Sequence, residues 1–303
     1  MKLGILTSIF GNYNFEQVLD MTSEFGLECM EVACWPQGEG ERRYAGVCHI
    51  DCENFTDKEA HTIINKCEEK KIFISALGFY ANLMDENLEK RKENIQHFMK
   101  VIDVSAKLNI NMVTGFLGRM QHKTLEENLK AVKEIWTPII DYAESKKVRI
   151  AIENCPMLFT QDELPGGQNI MTSPDNWRKI FEILDSDYFG INYDPSHFVW
   201  QQMDYIRPLY EFKEKIFHVH FKDIKLLHDK MQDVGIMATP LQFMVPKLPG
   251  LGDVNWNKFV SALTDIGFDG PACIEIEDKS FEKTDEKIKQ AVAQATRYMK
   301  NFV

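Results

Sequence analysis

Short apolar runs alternate with longer amphipathic stretches along the whole chain. The runs that read as buried strands are Leu3–Phe10, Leu27–Cys34, Ile72–Tyr80, Asn111–Gly118, Arg149–Cys155, Phe189–Asp194, Ile216–Phe221 and Ala272–Glu277. Between them, apolar residues recur at helical spacing. This predicts helices over Phe15–Phe25, Asp57–Lys71, Leu88–Leu108, Leu125–Lys146, Asp175–Leu184, Ile206–Glu214 and Asn257–Ile266, with a last one over Glu282–Asn301. Capping residues mark several starts, such as Thr124 before Leu-Glu-Glu and Ser173-Pro174 before Asp175.

Repeated strand–helix units imply a parallel sheet, either a closed (β/α)8 barrel or an open doubly wound sheet. No GxGxxG or GxxxxGK[ST] follows the first strand, which weakens the dinucleotide and P-loop readings. The expectation is an α/β chain forming a single TIM-barrel domain over residues 1–303. Two segments, about 35–56 and 224–252, are longer than simple connections need. Such loops at the mouth of a barrel bind substrate or partners.

Four of the predicted strands end in a residue that chemistry seldom buries alone. They are Glu153 in RIAIENCP, Asp194 in GINYDPSH, His220 in IFHVHFKD and Glu275 in GPACIEIED. A buried charge needs a partner, and active-site residues of a barrel project from the C-terminal ends of several strands. Three carboxylates and one imidazole converging there point to one divalent ion, with Mn2+, Mg2+ or Co2+ suiting the set better than structural zinc. A lone strand-end carboxylate could equally pair with a loop, but four together would need four coincidences. Residues two apart share a strand face, so His218 points the same way as His220. His220 lies nearer the strand end and is the chosen ligand; His218 would be a hydrogen-bonded histidine of the barrel interior.

His197, three residues after Asp194, is either a contact at the catalytic site or a loop-capping histidine. Lys222 and Asp223 either touch substrate or pair with each other. Trp35, Arg42, Arg43 and Tyr44 either wall a sugar pocket or pack their loop. Met231, Met237 and Met244 offer a pliable apolar wall or seat the second long loop. Cys155 has no evident basic partner and is not read as a nucleophile.

Net charge of −11 argues against nucleic acid or an anionic membrane as partner. Seven cysteines without a CxxC pair favour free thiols and a reducing cytoplasm. The N-terminal MKLGILTSIF superficially suggests a signal peptide but reads as a first buried strand. No run approaches a membrane span.

The set IEN at 152–154, YDPSH at 193–197, HVHFKD at 218–223, PGLGDVNW at 249–256 and FDGPACIE at 268–275 resembles the sugar phosphate isomerase/epimerase family of xylose isomerase-like TIM barrels. The resemblance implies that Glu153, Asp194, His220 and Glu275 hold a divalent cation, commonly Mn2+. It also implies that Glu153 and Glu275 shuttle protons; His197 is taken as a further catalytic residue, and Trp35, Lys222 and Asp223 as substrate contacts, from their places in the sequence. The free-ketose 3-epimerases of the family carry a Glu six residues after the first ligand and an Arg six after the histidine. Here those positions are Phe159 and Leu226. The chain also resembles the large subunits of bacterial C-glycoside deglycosidases, which implies a lyase on a 3-oxo-glycoside working with a small β-rich partner subunit. A ketose or sugar phosphate isomerase or epimerase is the alternative, and an oligomer is expected in either case. DNA-repair endonucleases share the barrel, but they use more histidine ligands and need a surface that attracts DNA. A barrel that binds sugar without turnover is the non-enzymatic option.

Overall fold

Each apolar run becomes a strand, and parallel pairing carries eight of them round a closed ring. In the computed structural model, which describes residues 1–38, 44–160 and 166–303, the ring strands are β1 (Lys2–Leu6), β2 (Cys29–Ala33), β3 (Phe73–Phe79), β4 (Met112–Gly115), β5 (Arg149–Glu153), β6 (Phe189–Tyr193), β7 (Ile216–Phe221) and β10 (Pro271–Ile274). Neighbours follow chain order, and β1 closes on β10 with Leu3 opposite Ala272 and Ile5 opposite Ile274. Closure leaves no unpaired edge.

The crossovers are α1 (Phe15–Glu24), α2 (Asp57–Lys70), α3 (Leu88–Lys107), α4 (Leu125–Ser145), α5 (Pro174–Ile183), α7 (Arg207–Glu211) and α9 (Trp256–Asp265), with α10 (Asp285–Met299) last. A short α6 (Ser196–Trp200) follows β6 directly. The expected caps form. Thr124 Oγ accepts from Glu127 N while Glu127 Oε2 accepts from Thr124 N at 2.8 Å, a complete capping box. Helix-facing cores hold three fully enclosed indoles, each donating to an acceptor. Trp136 serves Leu117 O, Trp177 serves Met171 O and Trp256 serves Asp223 Oδ2, all within 3.0 Å.

Three expectations differ in detail. The first strand stops at Leu6 and turns as a 3-10 segment over Thr7–Phe10. The helix expected over Ile206–Glu214 breaks into α7 and a 3-10 turn at Lys213–Lys215. The second long loop is built: β8 (Asp223–Leu226) and β9 (Met244–Lys247) pair antiparallel, with α8 (His228–Val234) between them. Ile224, Phe243 and Met244 form its own small core.

Two irregularities of pairing set up the interior. Between β2 and β3, Met30 faces Ile74 but Glu31 faces Ala76, so Ser75 is an extra residue. Between β6 and β7, Ile191 faces Ile216 but Asn192 faces His218, so Phe217 is extra. Such bulges re-aim side chains beside functional sites.

Candidate metal centre

Glu153 ends β5, Asp194 and Glu275 directly follow β6 and β10, and His220 is the last residue but one of β7. These strand ends meet at one rim of the ring. One donor atom from each of the four lies within 4.8 Å of the other three, and all four side chains are buried.

Three of the four are held by one polar atom and leave the other without a hydrogen bond, although Asp194 Oδ2 lies 3.2 Å from His197 Nε2. Asp194 Oδ1 accepts from Ser196 N at 2.8 Å; Glu275 Oε1 accepts from Lys222 Nζ at 3.0 Å; His220 Nε2 meets Glu31 Oε2 at 2.6 Å. Asp194 Oδ2, Glu275 Oε2 and His220 Nδ1 then have no hydrogen-bond partner among the described residues. Nδ1 stands 3.0 Å from Glu275 Oε2 without the direction a hydrogen bond needs. Backbone contacts fix the supports: Asn154 Nδ2 donates to Asp194 O, Asp194 N donates back to Asn154 Oδ1, and Asn169 Nδ2 donates to Glu153 O. Unpaired buried polar atoms are costly. Three gathered at one point, beside a further carboxylate, fit a divalent cation with oxygen preference.

The electrostatics agree. Burial opposes ionisation of Glu153, yet the imidazoles of His197 and His220 outweigh it and hold its carboxyl below the usual range. Burial also opposes charge on His220, but Glu31, Glu153 and Glu275 together push its pKa well above the ordinary value. Without a cation, the carboxylate excess is met by a proton on His220. Lys222 behaves alike: burial disfavours its charge, and Glu275 and Glu277 keep it.

The other expected residues divide. His197 Nε2 lies 3.3 Å from Glu153 Oε1 and 3.2 Å from Asp194 Oδ2, so it belongs to the cluster. Lys222 bridges Glu275 and Glu277, the latter at 2.7 Å, and does not pair with Asp223. Asp223, expected at the substrate, is occupied elsewhere: its carboxylate accepts from the backbone N–H groups of Ile224, Gly250, Gly252 and Val254 and from Trp256 Nε1. It organises the loop. His218 is wholly buried, with Nδ1 3.0 Å from Asn192 Oδ1 and Nε2 3.1 Å from Ser75 Oγ. Cys155 is a buried thiol whose pKa burial pushes up. Arg42 and Arg43 lie outside the described residues.

Sequence reasoning missed Glu31, Tyr80, Thr114 and Asn192. Glu31 sits inside the apolar strand CMEVA, the same buried-charge signal that exposed the other four. Its Oε1 accepts from the hydroxyls of Thr114, at 2.5 Å, and Tyr80. Burial works against its ionisation, but His220 and His218 outweigh it and bring its pKa down to about 2.

Above the four ligands opens a cavity of about 910 Å3. Glu153, His197, Lys222 and Glu275 lie at its floor. Trp35, Tyr44, Phe116 and Phe159 wall one side, and Leu241, Met244 and Val245 of the hairpin region wall another. Tyr44 is fixed by its hydroxyl donating to Ile276 O at 2.8 Å. Met231 packs on the hairpin core, whereas Met237 is 82% exposed. Among the described residues, no helix is long and apolar enough to cross a membrane.

A family model described as xylose isomerase-like TIM barrel matches residues 19–302. The uncharacterized protein YfiH of Bacillus subtilis is 21% identical, over 97% of this chain and 100% of its own. Among solved structures, the IolI protein with a bound zinc atom superimposes with a TM-score of 0.74 at 19% identity, covering 100% of this chain and 99% of that one. The 3-keto-D-glucoside 4-epimerase YcjR of E. coli, in its apo form, gives 0.71 at 13% identity, covering 99% of both chains. Identities this low establish shared fold alone.

Proposed function

Because the chain belongs to the xylose isomerase-like TIM barrel family, we propose that it is a divalent-metal-dependent enzyme that abstracts a proton next to the carbonyl of an oxidised sugar. The observation that carries this reading is the meeting of three buried donor atoms without hydrogen bonds with Glu153, beside a mostly apolar cavity. A cation held by Glu153, Asp194, His220 and Glu275, with Mn2+ as first choice, would act as Lewis acid toward substrate oxygens.

The chain's own groups supply the proton handling. A C–H beside a carbonyl is a weak acid, so its base must be placed within hydrogen-bond reach. Glu153 and Glu275 stand three strands apart round the ring and can serve two sides of a bound sugar. Lys222 holds Glu275 Oε1 and leaves Oε2 without a hydrogen bond, on the side of His220. His197 does the same service beside Glu153.

The finer reading is a lyase on a 3-oxo-glycoside. After proton removal, the C–H electron pair forms a C=C bond and the substituent at the β position leaves with its own bonding pair. Phe116, Phe159, Leu241 and Met244 offer an apolar seat for that substituent. Phe159 and Leu226, where free-ketose epimerases place polar groups, favour it over simple ketose epimerisation. The fold shared with a 3-keto-D-glucoside 4-epimerase supports a keto-glycoside substrate and keeps epimerisation as the second reading.

The test is incubation of Mn2+-loaded protein in deuterated water with 3-oxo-glycosides and with free ketoses. Release of the substituent supports the lyase. Deuterium next to the carbonyl without release supports the epimerase, and neither product with any substrate defeats both.

A further inference from the structure

We propose that Glu31 is a positioning residue for the metal centre, fixing the proton of His220 on Nε2 so that Nδ1 faces the ion. This rests on the metal-site reading given above. A carboxylate can only accept hydrogen bonds. The 2.6 Å contact between Glu31 Oε2 and His220 Nε2 therefore places the proton on Nε2. Asn192 Nδ2 also lies 3.0 Å from Nε2 and donates one of its two N–H groups to Tyr80 Oη at 3.2 Å; the shorter contact, to a carboxylate that cannot donate, decides the proton. Nδ1, the other ring nitrogen, is buried and unpaired among the described residues, on the side of Asp194, Glu153 and Glu275.

The neighbouring strand β3 leaves room for this carboxylate by carrying a glycine beside it. The extra residue of β3, Ser75, falls opposite the step from Met30 to Glu31. Gly78 of β3 lacks the methyl group that would stand 3.0 Å from Glu31 Oε1 and 3.1 Å from Thr114 Oγ1. Hydroxyls of Thr114 and Tyr80 hold Oε1, so Oε2 is left for the histidine. Glu31 comes from β2 and His220 from β7, on far sides of the ring. A wholly buried ionised carboxylate that meets His220, with His218 3.8 Å away, is a costly feature to keep without a use.

Binding of Mn2+ and Co2+ to stripped protein, by titration calorimetry and by the visible absorption of bound Co2+, tests the proposal. Wild type should bind one equivalent. Glu31→Gln, which still accepts a hydrogen bond, should weaken affinity by roughly tenfold, and Glu31→Ala by up to about a hundredfold, with an altered Co2+ spectrum. Gly78→Ala should shift affinity the same way through crowding alone. Unchanged affinity and spectrum in Glu31→Ala overturn the proposal while leaving the metal site standing. Loss of one of two bound ions on substitution also overturns it, because Glu31 would then be a ligand with His218 and Cys273, which stand close enough to form such a group. No binding by wild type overturns both readings. Should the variants fail to fold, long-range nitrogen–proton NMR of wild type loaded with Mg2+ decides: His220 protonated at Nε2 alone is expected, and protonation at Nδ1 overturns the assignment.

Discussion

The two halves of the ring divide the labour at the metal centre. The strands after residue 148 and the residues that directly follow them supply Glu153, Asp194, His220 and Glu275, whose donor atoms converge, with Glu153 and Glu275 lining the cavity. The first half supplies Glu31, which meets His220, and Tyr80 and Thr114, whose hydroxyls hold Glu31. The second half presents the four candidate ligands and holds three of them with its own groups, and the first half adds the carboxylate behind His220. Ligands alone leave a histidine free to choose its tautomer, and a carboxylate to rotate; the groups behind them remove that freedom.

The largest effect should come from the presenting half. Glu153→Gln removes the carboxylate to which the proposed function gives both proton handling and a place at the ion, and turnover should fall by about 10^2 to 10^4. Steady-state kinetics on whichever substrate proves active measures this. An active Glu153→Gln variant within threefold of wild type would erase the distinction between the halves.

Acidity separates them by sign. Glu31 has a pKa lowered from its ordinary 4.5 to about 2, so its stabilisation is present above 4.5 and is lost as pH falls toward 2. His220 is raised above its ordinary 6.5, so its contribution is complete below 6.5 and is lost as pH rises through the raised value. Because that proton competes with a cation, metal affinity should climb with pH by up to about tenfold per unit until His220 is neutral. Calorimetry in buffers of different ionisation heat should detect the released proton. Affinity flat between pH 6 and pH 8 would leave His220 outside the site.

The smallest effect belongs to Tyr80→Phe in the supporting half. It removes one hydroxyl from Glu31 and one acceptor from Asn192. Thermal unfolding should show a loss of about 1–3 kcal/mol, with metal affinity falling less than in Glu31→Gln. A Tyr80→Phe variant weaker for metal than Glu31→Ala would give the tyrosine, not the carboxylate, the controlling part.

The long loops show the same contrast between pattern and placement. Asp223 follows the metal histidine closely in sequence and was expected at the substrate. Its carboxylate instead gathers four backbone N–H groups and an indole, and so shapes the loop around the cavity rather than its floor. Lys222, its neighbour, points to Glu275 and Glu277. Adjacent residues on a strand face opposite ways, and the sequence alone did not say which of the two looks inward.

What the chain's order of residues determined was the alternation of strands and helices, and with it the barrel. Buried strands and amphipathic helices each carry their own period, and a charged residue at a strand end stands out against its apolar run. Glu153, Asp194, His220 and Glu275 were legible for that reason. Glu31 carried the same local signal, but its meaning depended on a histidine 189 residues away in the chain. Only ring closure brings β2 to face β7, and only the bulges and the missing side chain of Gly78 turn Glu31 toward His220. Tertiary structure decided these contacts because they join residues with no local periodicity in common. The antiparallel hairpin over the cavity was decided the same way, by a small core of its own that no run in the sequence announces.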